Sequence, residues 1–368
     1  MTTKPLQHYP LGAMIPDSVH AVCCSLPTLD DVEGYEEKRP ETLARVTCGY
    51  PRFILHRYVR QAMALVAERL ELENRAVFLL PSRAAAEDCV RWVNTGGEAL
   101  TEADFFVASF PDDKDAGTRA QTFLQHTGLC LSSRQAEDYL IAQGKLKEAQ
   151  LETSSASQSE SIVRSVLQSY LPTQSIHLAN CGMNAFYAAL RAVRDLQAPR
   201  GRHRYLQLGW LYLDTQRILE KFLGEKDALS VQLDVFDEDA LRAYFAEHGS
   251  ELAAIVTELP TNPLIQTPNV ALLKELCEQH GVVRIFDPTI AGISSVDVLP
   301  HCDVLVTSLT KYAAHEGDVM IGALAINPAS PYAAELEQTL HGKVEPPYHR
   351  DLARLAVQIE AMPAVTAK

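Results

Sequence analysis

The sequence predicts an α/β protein built on a mostly parallel sheet, and three observations carry that reading. Residues 252–257, 282–286 and 304–307 are near-continuous apolar runs, as strands buried on both faces require. Helix-like stretches separate them, most clearly at 270–280. Between Ile176 and Val193 a short strand, a glycine-bearing turn and a helix follow one another. At 368 residues the chain is long enough for two domains, or one large domain with an appendage.

The elements follow in order. Residues 1–57 read as an irregular, extended arm lying on another surface, because Pro5, Pro10, Pro16, Pro27, Pro40 and Pro51 break any long helix. Val59, Ala62, Met63, Leu65, Val66 and Leu70 fall at helical spacing over 57–72. Residues 76–81 then read as a strand, and 82–93 as a helix capped by Ser82. The stretch 94–175 is polar and variable, with 152–160 an exposed loop rich in serine. Residues 176–179 predict a strand, 181–184 a turn and 185–193 a helix. A further strand at 205–209 and a helix at 215–222 precede the three apolar runs, and 351–362 is helix-like.

Composition narrows the function classes. Against 33 Lys+Arg stand 47 Asp+Glu, a formal net charge of −14, so there is no electrostatic footprint for nucleic acid. No basic block suggests a membrane surface, and no apolar run approaches the roughly 18 residues that span a bilayer. The opening Met-Thr-Thr-Lys-Pro lacks the layout of a signal peptide, which predicts a cytoplasmic protein. The eight cysteines are scattered without zinc spacing, so no metal is expected. Adjacent Cys23 and Cys24 read as ordinary thiols or as a redox pair.

In parallel α/β sheets ligands sit off the carboxyl ends of the strands, and the residues just beyond those ends are the chemical candidates. Lys311, in Ser308-Leu-Thr-Lys-Tyr312, is either a surface residue or an amine held for Schiff-base chemistry. The hydroxyls of Ser308 and Thr310 suit an anion. Asp287 is a helix cap or a functional acid. Glu258-Leu-Pro-Thr-Asn-Pro263 makes a rigid turn that could aim Asn262 at a ligand. Gly182 and Met183 open a helix whose N–H groups form an anion site. Tyr212 is core or a stacking platform for a flat ligand.

Taken together and in order, these residues resemble the pyridoxal-phosphate-dependent Cys/Met metabolism family, which holds cystathionine γ-synthase, cystathionine lyases, methionine γ-lyase and homoserine-ester sulfhydrylases. Gly49-Tyr-Pro-Arg-Phe53, Gln125-His-Thr-Gly128, Ser132-Ser-Arg-Gln-Ala-Glu137, Cys181-Gly-Met-Asn-Ala185 and Leu208-Gly-Trp-Leu-Tyr-Leu-Asp-Thr215 are similar to its fungal-type cystathionine γ-synthase-like branch. The resemblance implies the aspartate aminotransferase-like, fold type I large domain. It also implies an arm at 1–57, a variable region at 58–175, a cofactor-binding domain at 176–330, and at 331–368 the start of a C-terminal domain that is truncated or absent.

The resemblance also implies roles. Lys311 would carry the cofactor as a Schiff base and then act as the base, and Asp287 would keep the pyridine nitrogen protonated. Gly182, Met183, Ser308 and Thr310 would cradle the phosphate, and Tyr212 would stack on the ring and relay a proton. Glu258 and Asn262 would position its 3′-oxygen side. Arg134, or alternatively Arg52, would reach the phosphate of a neighbouring copy in a homodimer or homotetramer. The family's usual residues are replaced by Cys181, by Pro288, by Leu213 and Asp214, and around His315 and Glu316. The implied reaction is γ-replacement on an activated homoserine ester by cysteine, giving cystathionine for methionine biosynthesis. A sulfhydrylase, a cystathionine or methionine γ-lyase, and a non-catalytic scaffold or partner-dependent fragment are the alternatives.

Overall fold

The computed structural model describes residues 8–46, 48–149, 156–224 and 228–363, and these divide into two compact units. One unit takes Met1–Gln125, Cys130–Glu152 and Glu316–Val319; the other takes His126–Leu129, Thr153–His315 and Met320–Lys368.

In the first unit Arg75–Leu80, Phe105–Pro111 and Glu98–Glu102 form a three-stranded antiparallel sheet, in that spatial order. The helix Arg57–Arg69 packs Val59, Ala62 and Val66 into a core with Val77, Leu79, Phe105, Val107 and Leu140. Their spacing gives one apolar stripe at helical period, which is why the sequence announced this helix. Ser82 caps Arg83–Val93 as expected, its hydroxyl accepting from the Ala85 N–H at 3.2 Å. Two strands and the helices Lys114–Thr127 and Ser133–Ala142 occupy a stretch that sequence texture left unassigned. Glu98–Glu102 is half-exposed and charged at both ends, so no clean alternation marked it. The proline-rich arm carries a short ladder, Met14–Ile15 with Cys23–Cys24, and the helices Leu29–Glu36 and Pro40–Leu43. Pro40 sits at the first helical position, where its missing N–H is harmless, so it starts a short helix rather than breaking one.

The second unit is built on a seven-stranded sheet. Its spatial order is Ile176–Ala179, Gly322–Ile326, Val304–Ser308, Val283–Asp287, Leu252–Glu258, Arg204–Leu208 and Leu229–Gln232. Every pairing is parallel except those of Gly322–Ile326, which runs antiparallel to both neighbours. All residues of Leu252–Glu258 are buried, as the continuous apolar run required. Val270–His280 is the helix its spacing predicted, with Gly281 in the left-handed conformation ending it.

Two expectations need correction. The predicted turn at 181–184 is already helical: Cys181 is the N-cap and the helix runs Gly182–Gln197. In the predicted loop at 152–160, residues 152–155 lie outside the described residues, and a helix, Ala156–Tyr170, occupies the rest. Ser159, Val163 and Leu167 are fully buried at i, i+4, i+8 spacing, a face that a serine-rich first turn disguised. The helix His349–Ile359 packs against it.

Among the described residues no helix is long and apolar enough to cross a membrane, and no cluster of His, Cys, Asp and Glu could hold a metal ion.

Candidate active site

The sheet brings most of the strand-end candidates to one rim. Glu258, Asp287 and Ser308 are the last residues of three adjacent strands, and Glu258 pairs in register with Asp287. The first strand of the unit leads into the helix Gly182–Gln197 from the same rim. A Cβ on Gly182 would stand 2.9 Å from the Ser308 Cβ and 3.1 Å from its Cα, so only glycine lets the helix start so close to this strand end. The positive end of a long helix thus meets a hydroxyl. Ser308 Oγ is shielded from solvent and finds no hydrogen-bond partner among the described residues. A buried, unmatched hydroxyl beside a helix N-terminus is suited to an anion.

Thr310 is arranged differently. Its hydroxyl donates to the Ile321 carbonyl at 3.2 Å and accepts from the Ile321 N–H at 3.0 Å, clasping the neighbouring strand. Lys311 follows in an exposed turn, and Tyr312 fixes that turn by donating to the Ile290 carbonyl at 2.8 Å.

The two carboxyls have distinct surroundings. Glu258 is buried, and its Oε1 accepts from the Tyr212 N–H at 2.6 Å. Tyr212 is the N-cap residue of Leu213–Phe222 and is half-buried, so Glu258 holds the backbone from which the Tyr212 ring projects. Burial, and then the neighbouring Asp287 carboxyl, push Glu258 up to about 9, against the pull of the Tyr212 and Asn262 backbone N–H groups. Burial also raises Asp287, to about 6, opposed by hydrogen bonds from Thr289. Burial and the closeness of the two carboxyls thus both favour a proton on the pair, so the rim favours one shared negative charge over two.

Thr289 escaped the sequence reading. Its N–H donates to Asp287 Oδ1 at 2.8 Å, and its hydroxyl accepts from the Ser308 N–H at 2.9 Å. Pro288 has no N–H, so the first backbone donor after Asp287 is that of Thr289. Asp-Pro-Thr directly after an apolar run was the available signal.

The arginines belong to the other unit. Arg134 is buried, its Nη1 donating to the Asp318 carbonyl at 3.0 Å. Arg52 is buried too, with its guanidinium 5.1 Å from the Tyr50 and Phe53 ring centres and a hydrogen bond to the Gln125 carbonyl.

Comparison with known proteins gives this geometry its context. A profile of the Cys/Met metabolism PLP-dependent enzymes matches residues 139–353. The chain belongs to that family. It is 40% identical over 349 residues, 94% of this chain and 70% of the other, to the L-2-amino-4-chloropent-4-enoate dechlorinase/desaturase of Streptantibioticus cattleyicolor. It is 24% identical to the cystathionine gamma-synthase of Neurospora crassa, covering 92% of this chain and 75% of that one. Among solved structures, the cystathionine gamma-lyase of Lactobacillus plantarum aligns with a TM-score of 0.44 and 18% identity, over 54% of this chain and 50% of its own. The protein is thus a pyridoxal-phosphate-dependent enzyme of a family that acts on amino acids.

The residues at the rim fit this cofactor. An unmatched hydroxyl at a helix N-terminus suits its phosphate, and a buried carboxyl pair that favours one shared negative charge suits a cationic heterocycle.

Proposed function

We propose that the enzyme activates amino acids bearing a leaving group on Cγ, through pyridoxal phosphate anchored on Lys311. The observation that carries the reading is the buried carboxyl pair, Glu258 and Asp287, in register at adjacent strand ends beside Ser308 and the Gly182 helix start. An ionised Asp287 opposite the pyridine nitrogen favours the protonated ring, because an opposite charge nearby stabilises the cation. Glu258, with Asn262, would serve the 3′-oxygen side.

When bound, the cofactor supplies an electron sink that makes the α-proton of an amino acid acidic. Lys311 would hold it through Nζ and, once freed by the substrate amine, would carry the proton from Cα to the cofactor's C4′ and, neutral again, take one from Cβ. Gly182 and Met183 N–H groups, with the hydroxyls of Ser308 and Thr310, bind the phosphate. Tyr212 stacks on the ring and delivers a proton to the departing group. Arg134, with Arg52 as the alternative, would serve the phosphate of a neighbouring copy in a homodimer or homotetramer; both are buried within their own unit, so this role requires the guanidinium to turn outward on assembly.

Two substrates place a leaving group on the same carbon. The name of the 40%-identical relative puts chloride on C4 of an amino acid, and a homoserine ester puts its acyloxy group there. In both, the bond from C4 breaks and its electrons leave with chloride or carboxylate. Without an added nucleophile the chloroalkenoate, already double-bonded at C4–C5, loses HCl and gains a further unsaturation; a homoserine ester met by cysteine thiolate gives cystathionine and the free carboxylate. The identity to the dechlorinase supports the first outcome most strongly, and the resemblance to cystathionine γ-synthase supports the second.

The test offers the cofactor-loaded enzyme 2-amino-4-chloropent-4-enoate alone, and O-acylhomoserine with cysteine or with sulfide. Released chloride, carboxylate and thioether are then measured. Release of a Cγ group from at least one substrate is expected. A protein that binds the cofactor covalently yet releases nothing from any of them is a scaffold, and the Cγ reading is lost.

A further inference from the structure

Two sequence motifs, Gln125-His-Thr-Gly128 and Tyr212-Leu-Asp-Thr215, have residues without a role in the reaction above, and the fold brings them together. His126 and Asp214 are both buried, with His126 Nδ1 3.0 Å from Asp214 Oδ1. Across the ring, Nε2 lies 3.3 Å from Lys221 Nζ. An ammonium group has only donors, so Nε2 accepts and the imidazole proton sits on Nδ1, donated to Asp214. The ring bridges an anion and a cation, two turns apart on the helix Leu213–Phe222.

The segment that carries His126 is held at its other end by the phosphate cradle. The Gly128 carbonyl accepts from Asn180 Nδ2 at 2.9 Å and from Cys181 Sγ at 3.5 Å. Gly128 has φ +72°, and a Cβ there would run into Cys181 Sγ, so this approach needs glycine. Cys181 is the N-cap residue of the cradle helix, accepting through Sγ from the Asn184 N–H at 3.4 Å. Thr215, one residue beyond Asp214, closes the circuit with its hydroxyl 3.9 Å from Met183 Sδ. Residues 126–128 therefore connect the helix that begins at Tyr212 with the helix that begins at Gly182.

We propose that His126 is a positioning residue of the cofactor site. Through Asp214 it sets the Tyr212 turn against the Gly182 end of the cradle helix, so that ring stacking and phosphate binding share one buried imidazole brace. The inference rests on Tyr212 and Gly182 being cofactor contacts, as read above.

The experiment uses the full chain titrated with pyridoxal phosphate. It reads affinity, the induced circular dichroism of the visible cofactor band, and the melting temperature of the apoprotein. His126→Ala should weaken cofactor binding roughly tenfold, the loss of one hydrogen bond to a charged group, and diminish the dichroism. His126→Asn retains a donor for Asp214 and should recover most of both. In a Tyr212→Ala background His126→Ala should change the dichroism no further, because it acts through that residue.

The inference is overturned if His126→Ala lowers the melting temperature but leaves affinity and dichroism at wild-type values. It is overturned equally if its effect on the dichroism persists undiminished in the Tyr212→Ala background. Should His126→Ala fail to fold, Asp214→Asn keeps an acceptor but loses the charge, and a milder form of the same pattern is expected; normal affinity and dichroism in that variant would again reject the brace. A wild-type chain that takes up no pyridoxal phosphate sinks the site assignment itself, and this inference with it.

Discussion

Replacing Ser308 by alanine should move the apoprotein and the loaded enzyme in opposite directions. Among the described residues the Ser308 hydroxyl is buried without a partner. Leaving such a group unmatched costs about 1–3 kcal/mol, so its removal should stabilise the apoprotein by roughly 1 kcal/mol once the small loss of packing is allowed for. For a unit of this size that raises the melting temperature by about 2–4 °C. On the proposed reading, the same hydroxyl, close to the Gly182 helix end, would hydrogen-bond the phosphate of the bound cofactor. A hydrogen bond to a charged group contributes about 1.5–3 kcal/mol, so affinity should fall roughly 10- to 150-fold. Calorimetry of the apoprotein and a fluorescence titration with pyridoxal phosphate measure the two effects. A lower melting temperature together with unchanged affinity would refute the argument, because both signs would be wrong for an anion site.

Lys311→Ala should abolish the visible band of the reconstituted enzyme; a variant that keeps it has its Schiff base elsewhere. Gly182→Ala would normally gain helix propensity, but its Cβ meets Ser308 atoms at 2.9 and 3.1 Å. A net loss of about 1–3 kcal/mol by urea unfolding is expected, with weaker cofactor binding. Glu258 is protonated more strongly in the folded chain than in the unfolded one, whose value is 4.5, and the folded value is about 9. Apoprotein stability should therefore decline as pH rises through that interval. Glu258→Gln, which keeps an acceptor for the Tyr212 N–H, should melt progressively higher than wild type between pH 5 and 9; a constant difference across that range would exclude the raised carboxyl.

The strands that carry Glu258, Asp287 and Ser308 were legible because burial on both faces leaves an unbroken apolar run, and the residue ending each run could be named. Their adjacency was not legible. It depends on strand order, and Gly322–Ile326 enters the sheet between Val304–Ser308 and Ile176–Ala179 without any marker beyond Ile, Gly, Ala and Leu, which suit a buried helix equally. The roles of Lys311 and Tyr212 came from resemblance, since neither position declares its chemistry by spacing. Thr289 stayed hidden because its importance lies in two hydrogen bonds, one to each neighbouring strand end. The brace from His126 to Asp214 joins positions far apart in the chain, and only the folded unit reveals it.

The one reversed strand has a further bearing on how the molecule assembles. Ile176–Ala179 lies at the sheet margin and pairs, among the described residues, with Gly322–Ile326 alone. On the ribosome the earlier segment emerges long before its partner, so the ladder beside the helix Gly182–Gln197 is completed late. A nascent polypeptide halted ahead of Gly322 can bury much of its hydrophobic interior and still lack the strand that ties this helix's own strand to the rest of the sheet. Docking of that marginal strand therefore waits on synthesis of Gly322–Ile326.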